Sequence, residues 1–265
     1  MWLDEIKKIG QRMQREIADH LHVLLAGESF GPGAGGDITH CIDRRAEDII
    51  LEELIKLDAP VTLVSEECGI REINGGGPIL LVDPIDGSRN AISGIPLFSC
   101  SIALIEGKCM SDIQAGYVVD IISGDEYWAV SGGGSFCNGQ NIRVQQENAF
   151  MIAGYETQVP GKDLPRIMPL ISMFNRVRCF GSTALDLAFL AKGSLSLFVM
   201  PSPSRSFDFA AGYLLVKEAG GIVTDLEGNS IKDTEIGVKR SVSLLVTASP
   251  EMHRRALDAL NLPSE

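Results

Sequence analysis

Five acidic side chains stand where predicted strands end or a predicted helix begins: Glu66, Glu67, Asp83, Asp86 and Asp208. Carboxylates at the ends of neighbouring buried strands converge, and they repel one another unless cations lie between them. Oxygen ligands without Cys or His nearby are typical of Mg²⁺ or Mn²⁺ rather than Zn²⁺. Two such ions about 4 Å apart can bridge a phosphoryl group, generate hydroxide and stabilise the leaving oxygen.

Each of these acids, taken alone, also has an ordinary structural explanation. Asp208 could cap a helix, and Asp86 could stand in an Asp-Gly turn. Three acidic groups at the ends of elements in one chain favour a metal site over three unrelated caps and turns.

The elements that must position these acids alternate between helices and strands. Apolar spacing predicts helices at 3–26 and 43–58, buried strands at 61–64 and 79–82, and a meander from about 97 to 145. The strands predicted in the second half lie near 150–155, 176–180, 195–200, 221–224 and 243–248, and the helices near 163–173, 182–191, 207–219 and 250–260. This order predicts a mixed α/β layered fold in one domain.

Composition and charge restrict the function further. The net charge of −12 argues against binding to a nucleic-acid backbone. The sequence has no run of 18 apolar residues and no signal-peptide pattern at its beginning, so we expect no membrane partner. The six scattered cysteines are typical of reduced thiols in a cytoplasmic protein.

Residues 82–90, which read VDPIDGSRN, resemble the DPIDGTTN signature of the inositol monophosphatase family. Four further segments resemble elements of that family in the same order: 36–43 (D-x-x-T-x-x-D), 65–67 (GEE), 181–185 (GSxAL) and 207–212 (WDxAAG). The intervals fit over nearly the whole chain. The glycine-rich run before Asp37 is most similar to the archaeal branch, whose members often act on both inositol phosphate and fructose 1,6-bisphosphate.

The resemblance implies two metal positions that share one aspartate. The first ion would be held by Glu66, Asp83 and the main-chain carbonyl of Ile85. The second would be held by Asp83, Asp86 and Asp208. The expected cofactor is Mg²⁺, in two or three copies, with Mn²⁺ able to substitute.

The resemblance also implies how water is activated. Ser88 stands where the family usually has threonine; its hydroxyl and Asp43 would orient and deprotonate the attacking water, with Glu66 as the third catalytic residue. Attack would be direct, without a phosphoenzyme. The main-chain N–H groups of Gly87 and Ser88 would bind the phosphate. The glycine-rich loop 27–36 would close over the metals.

The substrate-binding residues implied by the resemblance are Asp86, Gly87, Ser88, Arg178, Gly181, Ser182, Thr183 and Arg205. Arg178 and Arg205 could each pair with a second phosphate, or be ordinary surface arginines. Relatives that favour inositol phosphate have an acid at the position of Pro201, so the sequence does not predict selectivity for inositol. Glu67 is expected behind the metal site or at the surface, and Arg89 at the surface or the phosphate rim.

These features together predict a layered αβαβα sandwich, with a metal-binding half (about 1–145) and a substrate-side half (about 146–265). The predicted protein is a Mg²⁺-dependent phosphomonoester hydrolase for fructose 1,6-bisphosphate, inositol 1-phosphate or both, and a homodimer by family analogy. One alternative is a 3′-phosphatase of adenosine 3′,5′-bisphosphate, which would need an aromatic-lined base pocket. Another is a metal-dependent binding or regulatory protein without turnover, although such a protein has no need of the Asp43/Ser88 pair.

Overall fold

The chain begins with two helices joined by a short hairpin. The computed structural model describes residues 2–27, 29–36, 38–147 and 150–261. Helix α1 (Trp2–Leu25) is followed by the antiparallel strands β1 (Ser29–Pro32) and β2 (Ile38–His40) and by helix α2 (Cys41–Leu57). The predicted loop 27–36 therefore contains a short strand, β1. Glu28 within it and Asp37 after it lie outside the described residues.

An eight-stranded sheet of the described residues follows, with strand order β10-β9-β8-β7-β6-β5-β3-β4. Its strands are β3 (Val61–Ser65), β4 (Gly69–Ile73), β5 (Ile79–Asp86), β6 (Ser99–Ile105), β7 (Ile113–Asp120), β8 (Glu126–Val130), β9 (Gly134–Cys137) and β10 (Gln140–Ile142). The short helix α3 (Ser88–Ile92) follows β5, and a 3₁₀ turn (Met110–Asp112) precedes β7. The predicted meander is confirmed.

The second half builds a smaller, five-stranded sheet with order β12-β11-β13-β15-β14. Its elements, in chain order, are β11 (Ile152–Tyr155), α4 (Pro160–Ile171), β12 (Arg176–Arg178), α5 (Thr183–Ala191), β13 (Leu197–Arg205), α6 (Ser206–Glu218), β14 (Ile222–Thr224), β15 (Arg240–Thr247) and α7 (Pro250–Leu260). Each of the helices and strands predicted in this half is present.

Three apolar clusters stack these elements into layers. The first lies between α1 and α2 and the large sheet, with Ile6 and Ile49 at its centre. The second lies between the other face of that sheet and α5 and α6, and it extends to the smaller sheet. The third fills the space between the smaller sheet and α4 and α7. The order helix, sheet, helix, sheet, helix confirms the predicted layered sandwich. No helix of the described ranges is long and apolar enough to cross a membrane.

Two strands are longer than predicted: β5, which carries Asp83 and Asp86, and β13, which leads into α6 and Asp208. The predicted strand 79–82 continues to Asp86, and the predicted strand 195–200 continues to Arg205. Polar residues interrupt the apolar runs at both places, but strand pairing continues: Asp83 lies opposite Ser101 and Asp86 opposite Ser99, with a bulge between them. The sequence also missed β4, whose central residues are exposed.

Candidate active site

The predicted metal-binding residues meet in one cavity of about 570 Å³. Glu66, Asp83, Ile85, Asp86 and Asp208 all line it. The predicted substrate residues Gly87, Ser88, Gly181, Thr183 and Arg205 line it as well. The cavity thus collects residues from β5 and the turn after β3 in the large sheet, and from the beginnings of α5 and α6.

Asp83 is the central acid of the cavity. It projects from β5 with 2% of its surface exposed, and its Oδ1 has no hydrogen-bond partner among the described residues. Burial raises the pKa of Asp83 well above its usual range, and the negative charges of Glu66, Asp86 and Asp208 raise it further. A buried carboxylate oxygen without a donor is costly, so this atom is suited to a cation.

Asp86 links the large sheet to α5. Its Oδ2 accepts hydrogen bonds from Ser182 Oγ at 2.6 Å and from the Ala184 N–H at 2.7 Å. Burial raises the pKa of Asp86 to about 7, although these two donors act in the opposite direction. Ser182 is the N-cap of α5 and is fully buried. The structure therefore places Ser182 behind Asp86, whereas Thr183 lines the cavity.

Asp43 and Asp208 occupy the same position on two different helices. Each is the third residue of its helix and accepts the N–H of the residue before the helix: Asp43 from His40 at 2.7 Å, and Asp208 from Arg205 at 3.1 Å. Asp208 also accepts from Ser204 Oγ. Burial raises the pKa of both carboxyls, that of Asp43 to about 6. Asp43 is 3% exposed and lies behind the cavity lining.

Glu66 forms a buried ion pair with Arg205, with 2.5 Å between Oε1 and Nη1. The β1–β2 hairpin covers this pair: the Gly35 N–H donates to the Glu66 carbonyl at 2.7 Å, and a Cβ atom on Gly35 would lie 2.6 Å from Arg205 Nη1. Next to Glu66, the Glu67 side chain accepts from Thr39 Oγ1 of β2. This hydrogen bond links the β1–β2 hairpin to the turn that carries Glu66 and Glu67.

The turn after β5 brings main-chain N–H groups to the cavity. Gly87 has φ of +91°, a conformation that favours glycine, and a Cβ atom there would lie 2.9 Å from the Gly181 carbonyl oxygen. Asn90 fixes this approach, because its Nδ2 donates to the carbonyls of Leu97 at 2.7 Å and Phe180 at 2.6 Å. The last residue of the VDPIDGSRN segment thus ties the predicted phosphate turn to the predicted substrate turn.

Arg178, like the predicted site residues Asp43 and Ser182, is not part of the cavity lining. It is exposed on β12, and its Nη1 donates to the carbonyl of Val177. Its strand lies at the edge of the smaller sheet, separated from β13 by β11. Sequence reasoning missed several residues of the cavity wall: Glu156, Thr157, Gln158 and Arg240. These lie just after β11 and at the beginning of β15, where no acidic pair or glycine-rich turn marks them.

Comparison with known proteins decides the family. The profile of the Inositol monophosphatase family matches residues 2–261. The chain belongs to the inositol monophosphatase family. Members of this family are in general Mg²⁺-dependent phosphatases, and the chain is a phosphoric monoester hydrolase.

Three members of the inositol monophosphatase family illustrate the range of similarity. The fructose-1,6-bisphosphatase/inositol-1-monophosphatase of Methanothermobacter thermautotrophicus is 32% identical over 98% of this chain and 97% of its own length. The bifunctional NADP phosphatase/NAD kinase of Methanococcus maripaludis is 31% identical over 96% of this chain and 48% of its own length. The crystal structure of an inositol monophosphatase-fructose 1,6 bisphosphatase has a TM-score of 0.86 at 30% identity, covering 98% of this chain and 99% of that one.

The residues of this inositol monophosphatase family site fit divalent metal ions of the Mg²⁺ type. Glu66, Asp83, Asp86 and Asp208 are four of the acidic residues that line the cavity. Asp83 Oδ1 has no donor among the described residues, and burial raises the pKa of the three aspartates. Like charges in a buried cluster are stable only when protons or cations compensate them. Ligands that are all oxygen select Mg²⁺ or Mn²⁺ over softer metals.

Proposed function

We propose that this chain hydrolyses fructose 1,6-bisphosphate and inositol 1-phosphate with Mg²⁺, by direct attack of water on phosphorus. The observation that carries the proposal is the position of Asp83, whose donor-free Oδ1 lies among three other carboxylates in an open, polar cavity. The substrates follow from the relatives whose names join fructose-1,6-bisphosphatase and inositol-1-monophosphatase.

Two cation positions share Asp83 in this proposal. Glu66, Asp83 and the Ile85 carbonyl would hold one Mg²⁺, and Asp83, Asp86 and Asp208 would hold the other. Bound there, the ions would lower the pKa of water and neutralise charge on the phosphate. The hydrogen bonds to Asp86 and Asp208 keep one oxygen of each carboxylate in place, so these side chains are ordered before any ion binds.

The chain's own residues orient the attacking water. We place the water against Ser88, whose hydroxyl would pass a proton to Asp43. Asp43 suits this role because burial raises its pKa to about 6, so it accepts a proton more readily than a solvated aspartate. The N–H groups of Gly87 and Ser88 hold the phosphate oxygens. The P–O bond to the sugar or polyol breaks, the leaving oxygen takes up a proton from solvent water, and the products are the alcohol and inorganic phosphate.

A second phosphate, as in fructose 1,6-bisphosphate, requires a cation away from the metal site. Arg205 lines the cavity but pairs with Glu66 in this structure. Arg240 also lines the cavity and is exposed at the beginning of β15, with its Nη1 3.4 Å from the Pro203 carbonyl oxygen. We propose that Arg240, rather than Arg178, faces the second phosphate.

The direct test is phosphate release with Mg²⁺ and with EDTA, on fructose 1,6-bisphosphate, inositol 1-phosphate, adenosine 3′,5′-bisphosphate and NADP. NADP is included because the Methanococcus maripaludis relative carries an NADP phosphatase. Turnover of the first two, abolished by EDTA, is the expected result. Turnover of a nucleotide alone would replace the substrate assignment, and bound Mg²⁺ without any turnover would favour a binding role.

A further inference from the structure

Glu156 lies on the cavity wall beyond the metal-binding acids. It follows β11 directly, and its N–H donates to the Val199 carbonyl of the parallel strand β13 at 3.1 Å. This pairing sets Glu156 beside Met200, which also lines the cavity. The next residue of β13, Pro201, offers no side-chain acceptor, and its carbonyl accepts from Arg166 Nη1 at 3.3 Å. The acidic group on this wall therefore comes from β11 and not from β13.

The carboxylate of Glu156 is held in place from the substrate turn. Its Oε1 accepts from the Thr157 N–H at 3.2 Å and from Cys179 Sγ at 3.8 Å, and the Gly181 N–H also donates to this carboxylate. Gly181 is the residue whose carbonyl closely approaches Gly87. The acid is thus anchored to the turn that adjoins the predicted phosphate pocket. Its Oε2 is buried without a hydrogen-bond partner in the described part of the chain.

A second buried acid, Asp186, lies close enough to Glu156 to interact with it electrostatically. Asp186 of α5 is fully buried, and neither of its carboxyl oxygens has a hydrogen-bond partner in the described ranges. Gly154 and Glu156 lie on the same face of β11, and a Cβ atom on Gly154 would lie 2.7 Å from Asp186 Oδ1. Burial raises the pKa of Asp186 well above its usual range, and the charge of Glu156 raises it further. Burial raises the pKa of Glu156 as well, but the donors Thr157, Cys179 and Gly181 lower it, whereas Asp186 has no such donor in the described ranges.

We propose that Glu156 is a specificity-determining residue that accepts hydrogen bonds from free hydroxyl groups of the substrate, next to the phosphate being removed. The inference rests on the proposed function and narrows its substrates to phosphate esters of sugars and polyols. A fixed carboxylate can only accept hydrogen bonds, and it repels a phosphate group, so a second phosphate must lie toward Arg240. Thr157 and Gln158 on the same wall add polar groups that suit a hydroxylated ligand.

The test compares Glu156→Gln with the wild type on two classes of ester. For inositol 1-phosphate or fructose 1,6-bisphosphate, whichever the wild type hydrolyses, we expect kcat/KM to fall about ten- to hundredfold, because a charged acceptor is lost. For p-nitrophenyl phosphate, which has no hydroxyl group beside its phosphate, we expect a change of less than about twofold. Glu251→Gln, on the exposed face of α7, is the matched control.

A deoxy analogue provides a second measurement that does not depend on the variant's folding. Removing the hydroxyl next to the phosphate should lower the kcat/KM of the wild type about as much as Glu156→Gln does. In the Glu156→Gln variant, the same removal should lower kcat/KM little further. Equal losses on both classes of ester, or none on either, would overturn the role of Glu156 while leaving the proposed function intact. A wild type that hydrolyses no phosphate ester with Mg²⁺ would instead remove the proposed function itself, and this inference with it.

Discussion

The Glu66 carboxylate and the Arg205 guanidinium, 139 residues apart in the chain, form an ion pair of 2.5 Å whose side chains are 16% and 5% exposed. The pair joins the turn after β3 to the end of β13. Because Glu66 is also a proposed metal ligand, the guanidinium neutralises a charge that a cation would otherwise neutralise. Arg205 and Mg²⁺ therefore act on the same carboxylate.

Arg205→Met should reveal this competition. Removing one partner of a buried pair typically costs about 3 kcal/mol, so the EDTA-treated variant should unfold at a clearly lower temperature than the wild type. With saturating Mg²⁺ the difference should shrink, because the cation then compensates Glu66. Thermal unfolding with and without Mg²⁺ measures both differences in melting temperature, and Arg178→Met, at an exposed position, is the control. An equal loss of stability in both conditions would contradict the competition.

Asp83→Asn tests whether Asp83 lies at the centre of the metal site. The amide removes the charge that both proposed cation positions share, so kcat should fall at least about a hundredfold. Without metal, the same change should raise the melting temperature, because it relieves repulsion among buried carboxylates. Turnover within tenfold of the wild type, or a metal-induced stabilisation that is unchanged, would show that the assignment is wrong.

Asp43→Asn should alter the pH dependence of stability in the metal-free protein. The pKa of Asp43 is raised in the folded state to about 6 from an ordinary value near 3.8, so the folded chain binds more protons than the unfolded chain between these pH values. Stability from this group is therefore complete below pH ~4 and is lost as the pH rises through ~6, a total of about 3 kcal/mol. Urea unfolding in EDTA at several pH values should show a shallower decline for the variant; parallel curves would refute the prediction.

Gly35→Ala should weaken the closure of the hairpin over the site. The added Cβ would lie 2.6 Å from Arg205 Nη1 and 2.8 Å from Glu66 Cγ, so the hairpin must shift or the ion pair must separate. We expect kcat/KM to fall about tenfold and proteolysis within 27–36 to accelerate. Gly31→Ala is the matched control, since a Cβ there has nothing within 4 Å in the described structure. If both substitutions lowered kcat/KM equally, the contact at Gly35 would not be the cause of the loss.

Arg240→Ala should discriminate between substrates with one and two phosphates. If Arg240 faces the second phosphate, its loss should raise KM for fructose 1,6-bisphosphate about tenfold and leave that for inositol 1-phosphate within about twofold. Arg178→Ala should change neither. A larger effect of Arg178 than of Arg240 would restore the assignment that the sequence alone suggested.

The acidic end of the cavity is largely predictable from the sequence, and the wall that carries Glu156 and Arg240 is not. Glu66, Asp83 and Asp208 stand beside apolar runs or at a helix beginning, and such local signals place them near one another. The family resemblance adds Asp86 and the turn at Gly87. These inferences need only short segments and the order of the elements.

The positions of the other cavity residues depend on pairing between strands that are distant in the sequence. Glu156 reaches the cavity because β11 pairs with β13, and Arg240 because β15 pairs with β13 from the other side. Nothing in the residues around either one distinguishes it from an ordinary surface side chain. Arg178 is the opposite case: its place in the sequence resembles a substrate-side position, while its strand lies at the edge of the sheet.

Asp86 accepts both of its described hydrogen bonds from the beginning of α5, from Ser182 and the Ala184 N–H. The segment 82–90 therefore does not contain everything that its own aspartate needs. Transplanted alone onto another sheet, it would carry both aspartates but leave Asp86 without the two donors that hold its carboxylate. A transplanted site would therefore need both the turn after β5 and the beginning of α5, held at the distance from each other that they have in this fold.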